Sequence, residues 1–127
     1  MQLDIQGDRL TALPTIRQYI ERRVLFELGK FGNLVERVRI RLREEASESG
    51  IRILCGTAVN LVPDGNLSPS CMVSRVRIDG TDVCQAIDEA VQRVAGAVGG
   101  ELARWDAIRE ARALLSASAG ARGPEST

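Results

Sequence analysis

Val35-Glu36-Arg37-Val38-Arg39-Ile40-Arg41-Leu42-Arg43 is the stretch on which the reading of this chain turns. Apolar Val38, Ile40 and Leu42 alternate with Arg37, Arg39, Arg41 and Arg43. A period of two marks a β-strand with one buried and one open face. The apolar face needs cover, and an amphipathic helical pattern stands on each side of the strand in the chain. The arginines are left toward solvent or a partner. They recur about every 7 Å, twice the strand rise, and so repel one another. A solvated sheet face is one reading of such a charge run; a face for an anionic partner is the other.

Upstream, residues 1–6 alternate Leu3 and Ile5 with Gln2, Asp4 and Gln6, a short strand closed by Gly7-Asp8. Pro14 then opens a helix, where its missing N–H costs nothing. Ile16, Ile20, Val24, Leu28 and Phe31 form its apolar stripe. Gly29 and Gly32-Asn33 are its stop signals. Tyr19, one position off the stripe, reads as core packing with its hydroxyl at the edge. The unit is β-α-β, with a right-handed crossover expected if its strands are parallel neighbours.

Downstream, residues 44–50 read as a polar turn and 51–62 as a third strand, with Ile53, Cys55, Thr57, Val59 and Leu61 on one side. Gly56 suggests a bulge. Residues 63–70 are rich in turn formers and read as a loop. In a fourth strand, 72–79, Met72, Val76 and Ile78 point one way and Val73, Arg75 and Arg77 the other. Thr81 is the expected N-cap of a last helix, with Asp82 favourable at its positive end. The stripe of this helix is Val83, Ile87, Val91, Val94 and Val98. Gly99-Gly100 should weaken it by roughly 1 kcal/mol per glycine. Helical spacing resumes through Leu102, Trp105 and Ile108, and 116–127 reads as a disordered tail. The expected fold is a single two-layer α+β domain over 1–115, of order β-α-β-β-β-α. A four-stranded sheet, its last three strands an antiparallel meander, carries both helices on one face. Arg37, Arg39, Arg41, Arg43, Arg75 and Arg77 would line the other.

Composition narrows the function. The chain has 127 residues, 44% of them hydrophobic, which suits one domain with an ordinary core. Seventeen basic and seventeen acidic residues cancel, which argues against a generic polyanion binder. All the basic residues but Lys30 are arginine, whose planar fork suits phosphate. Cys55, Cys71 and Cys84, with no histidine, fit neither a disulfide framework nor a zinc site. They read as reduced, small apolar side chains. No apolar run reaches membrane-spanning length and no signal pattern opens the chain, so a cytoplasmic protein without membrane contact is expected. Asp88 and Glu89 are adjacent on a helix and point apart. With no nucleophile–base pair, metal cluster or phosphate-binding glycine loop, the sequence indicates no enzyme, no cofactor and no small-molecule substrate.

Pro14-Thr15-Ile16-Arg17-Gln18-Tyr19-Ile20, followed by Phe31 and Asn33-Leu34, resembles the ribosome hibernation factors. These are the short hibernation-promoting and ribosome-associated inhibitor proteins, or sigma-54 modulation proteins. Met1-Gln2-Leu3-Asp4-Ile5 is similar to their first strand, and Asp82-Val83-Cys84-Gln85-Ala86-Ile87-Asp88 to the start of their last helix. The resemblance spans roughly 1–98. It implies a double-stranded-RNA-binding-like fold and a non-catalytic role in stress. Such factors bind the small ribosomal subunit where messenger and transfer RNA would sit. Long members add a dimerisation domain, which this short form is expected to lack, acting as a monomer. Family members usually carry a basic stripe on the last helix, of which Arg93 alone remains here; Ala95, Gly96, Gly99 and Gly100 replace it. Contact with ribosomal RNA then falls to Arg37, Arg39, Arg41, Arg43, Arg75 and Arg77, with Arg93, Arg23 and Lys30 as further candidates. The alternative is a protein-interaction module of the same fold that has lost ribosome binding and docks an acidic partner.

Overall fold

A computed structural model of the chain describes residues 1–62, 71–79 and 82–125, without the side chains of Leu10 and of 118–125. The expected order is present: β1 (Gln2–Gly7), a 3₁₀ turn (Arg9–Ala12), α1 (Pro14–Leu28), a second 3₁₀ segment (Gly29–Leu34), β2 (Val35–Ser47), β3 (Gly50–Leu61), β4 (Cys71–Asp79) and α2 (Val83–Glu125). The sheet runs β1-β2-β3-β4. β1 is parallel to β2, and β2, β3 and β4 form the antiparallel meander.

β2 is flanked on both sides and sets the register. Val38, Ile40 and Leu42 are fully buried, opposite Val59, Thr57 and Cys55 of β3. Leu3 and Ile5 of β1 pair with Val38 and Ile40 from the other side. The register shifts between Val35 and Arg37, so Val35 also turns inward. That is where the sheet is irregular; the bulge expected at Gly56 is not there, since β3 pairs continuously past it on both edges. The expected polar turn is shorter than 44–50. β2 continues to Ser47, which pairs with Gly50 across two residues. Gly50 sits at φ +127°, a value side chains rarely adopt. At the end of β1, a Cβ on Gly7 would lie 2.3 Å from the Leu42 carbonyl oxygen, so the chain passes there only as glycine.

Both helices pack on the inward face. α1 has proline at its start and buries Ile20, Val24 and Leu28, with Ile16 half-buried. Phe31 lies past the end of this helix, in the second 3₁₀ segment, and its ring approaches α2. α2 is capped by Asp82, whose Oδ1 accepts a hydrogen bond from the Gln85 backbone N–H at 3.0 Å. The expected cap, Thr81, lies outside the described residues, as does the 63–70 loop. Ile87, Val91, Val94 and Val98 are fully buried, as the stripe requires. The helix then runs unbroken through Gly99-Gly100 and on to Glu125, across positions read from sequence as a tail. Tertiary contacts explain why the glycines do not end it. A Cβ at Gly99 would stand 3.7 Å from the Phe31 ring. Beyond the glycines, Trp105 is 3% exposed and donates its indole N–H to Glu101 Oε1 at 3.0 Å.

Two substitutions test this packing by chemical denaturation. Ile40→Ala should lower stability by about 2–5 kcal/mol, the usual result of truncating a fully buried aliphatic side chain. Gly100→Ala should raise it by about 1 kcal/mol, because the added methyl meets nothing within 4 Å and only helix propensity changes.

Candidate nucleic-acid interface

The register that buries the apolar side chains sorts the others into rows across the open face. Gln2, Arg37 and Asn60 form one row. Asp4, Arg39, Ala58 and Val73 form the next, and Gln6, Arg41, Gly56 and Arg75 the middle one. Arg43, Leu54 and Arg77 follow, then Glu45, Arg52 and Asp79. At the centre of the face the arginines of β2 thus stand across from those of β4 over Ala58, Gly56 and Leu54 of β3, with Arg52 of β3 in the last row.

Partners divide these arginines into two groups. Arg37 is half-buried, with its Nε 3.3 Å from Asp4 Oδ2 and its guanidinium donating to Gln2 Oε1. At the far end Arg52 Nε donates to Asp79 Oδ1 at 2.7 Å. Arg39, Arg41, Arg43, Arg75 and Arg77 are exposed and have no carboxylate partner among the described residues. Two unit charges about 7 Å apart repel by about 0.6 kcal/mol in water, less once salt with a Debye length of about 8 Å screens them. The fold tolerates that repulsion, and the summed field still favours an anion over the face.

The remaining candidates are in the helix layer, on the other side of the sheet. Arg23 donates to Glu27 Oε1 at 3.0 Å and places its Nε 2.9 Å from Asp88 Oδ1. That second contact is ionic, because the Nε–H is not aimed at the oxygen. Lys30 is exposed above the Phe31 ring, 5.3 Å from its centroid, and Arg93 stands 3.9 Å from Glu89. The structure therefore gathers Arg39, Arg41, Arg43, Arg75 and Arg77, with Arg37 at their margin, and separates them from Arg23, Lys30 and Arg93.

Asp88 has a part that its sequence neighbour Glu89 did not suggest. Tyr19 Oη donates to Asp88 Oδ1 at 2.6 Å, so one carboxylate ties both Tyr19 and Arg23 of α1 to α2. This hydrogen bond, reinforced by desolvation, pushes the phenol up to about 12. The three cysteines are free, but only Cys55 is buried, with burial raising its thiol to about 12. Cys71 and Cys84 are exposed, which corrects the expectation that all three fill apolar space. Among the described residues no cluster of three metal-ligating side chains occurs, and no helix is long and apolar enough to cross a membrane.

Fold and face together define a small α+β module with one arginine-lined, uncovered sheet surface. No family model matches the sequence, and no curated protein does. Among solved structures, a ribosomal subunit interface protein from Coxiella burnetii matches with a TM-score of 0.58 at 12% identity, over 81% of this chain and 99% of that one. The N-terminal domain of Thermus thermophilus Protein Y matches with a TM-score of 0.53 at 23% identity, over 77% and 96%. The likeness is one of fold.

The Tyr19–Asp88 bond gives a pH-dependent test. A phenol raised in the folded state stabilises fully below its ordinary value near 10 and loses that contribution as pH climbs toward about 12. Wild type should therefore exceed Tyr19→Phe by about 1 kcal/mol at pH 8, a modest value because the pair is half-exposed. In denaturant titrations the gap should close between pH 10 and 12.

Proposed function

We propose that this chain is a non-catalytic, ribosome-associated factor of the hibernation type, binding small-subunit ribosomal RNA through the open face of its sheet. The observation that carries this is the group of five arginines, Arg39, Arg41, Arg43, Arg75 and Arg77, exposed without carboxylate partners among the described residues in a chain of zero net charge. The fold shared with a ribosomal subunit interface protein and with Protein Y supports the ribosome as the place of binding. So do the sequence motifs of the first and last helices. On this reading the protein works as a monomer in the cytoplasm, and binding is chiefly to phosphates, which the planar arginine forks suit. Arg93, beside Glu89 on α2, contributes less than the sheet.

Charge reversal tests it. Arg39→Glu combined with Arg41→Glu should weaken co-sedimentation with small subunits at low salt. It should also flatten the salt dependence, by about 0.7–0.9 in the log–log slope for each phosphate no longer neutralised. The variant should unfold like wild type, because neither side chain enters the core. Arg93→Ala should have the smaller effect. If the double reversal sediments like wild type while Arg93→Ala does not, the helix is the site. Failure of the wild-type protein to sediment with subunits at all would favour the module that docks an acidic protein.

A further inference from the structure

Neither a bulge, a positive φ nor a close contact in the fold requires glycine at position 56. It lies inside β3, paired with Arg41 on one side and Arg75 on the other. Its φ is not positive, no register shift occurs there, and a Cβ built on it meets nothing within 4 Å. Glycine weakens a strand interior, and where neither bulge nor packing demands it, close approach of a ligand is one structural use of it. The space above it is a hollow of ≈ 190 Å³, whose lining includes Arg39, Arg41, Gly56, Ala58, Val73 and Arg75. A second hollow shares Arg41, Gly56 and Arg75 and adds Arg43. Two strand spacings separate the backbones at 41 and 75 by about 10 Å. That leaves room for one phosphate between their guanidinium forks. Beside this cradle, Ala58 pairs with Val73, which is 62% exposed, so an apolar patch adjoins the charged one.

We propose that Gly56 is the seat of one phosphate of an unpaired RNA strand, held between Arg41 and Arg75, with the sugar and base of that nucleotide resting on Ala58 and Val73. This builds on the RNA-binding role proposed above and narrows it. A duplex keeps its bases stacked inside and meets such a face through its backbone, leaving the apolar patch uncovered; an unpaired nucleotide covers both parts.

The test uses Gly56→Thr in the full chain, with four probes: a uridine octaribonucleotide, a 16-base-pair RNA duplex, uridine monophosphate and inorganic phosphate. Threonine suits a strand and has open space here, so the thermal midpoint should hold or rise. Affinity for the octamer should fall about tenfold and its salt slope by about 0.7, the value for one single-strand phosphate. Val73→Ala should weaken octamer binding several-fold without changing the slope. Gly56→Ala, adding only a methyl, repeats the test at smaller amplitude should threonine perturb the strand. Wild-type octamer binding with Gly56→Thr and Gly56→Ala unaffected would overturn the cradle while leaving the arginine face intact. No RNA binding by wild type would overturn both. Monophosphate or phosphate binding as tight as the octamer would make this a small-anion site instead. A duplex binding as tightly as the octamer, and equally sensitive to Gly56→Thr, would overturn the assignment to an unpaired strand.

Discussion

The alternation in β2 is the constraint on which the rest depends. Its inward side chains Val38, Ile40 and Leu42 have no exposure, and the strand is held from both sides. A slip of one residue would expose them and drive Arg39, Arg41 and Arg43 into the core. Unpaired buried charges cost several kcal/mol each, so that slip is closed. Core and face are thus two outcomes of one register. The pairing that seats Ile40 beneath the helices also lifts Arg39 and Arg41 clear of them.

Periodic features were legible in the sequence because they follow from local geometry: the four strands, the α1 stripe and the α2 stripe to Val98 each repeat at their own period. Features decided by distant partners were not. Gly99-Gly100 reads as a weak point by propensity, yet Phe31 leans on Gly99 and Trp105 is buried beyond it. Tyr19 and Asp88 are 69 residues apart, and no local pattern announces their hydrogen bond. Arg37 looks like its neighbours in the row until Asp4 is placed beside it, and Arg23 looks like a surface charge until Asp88 is. The irregularity near Glu36 has no glycine to mark it, whereas Gly56, a bulge signal in the sequence, sits in regular strand.

Arginine content by itself says little about binding here. Arg9, Arg23, Arg37, Arg52, Arg93, Arg104 and Arg109 each stand beside a carboxylate. Most such surface pairs contribute little stability, but they cancel charge locally. Arg17 and Arg22 of α1 and Arg112 of α2 also lack an ion pair among the described residues, but only at the centre of the sheet do five such arginines stand together on neighbouring positions. The fold likeness, at 12% and 23% identity, places the chain among known shapes. The arginines left without carboxylates, and the small residues between them, are what give that shape a chemistry.

A molecule of zero net charge whose positive excess is gathered on one surface must carry the compensating negative excess elsewhere. It is a dipole. Far from a polyanion the opposing ends nearly cancel; near it, the field turns the sheet forward before the surfaces touch. Productive encounters are then selected by rotation rather than by long-range attraction. A neutral protein with such a face is drawn only weakly to a polyanion at a distance, yet meets it with the arginine side leading.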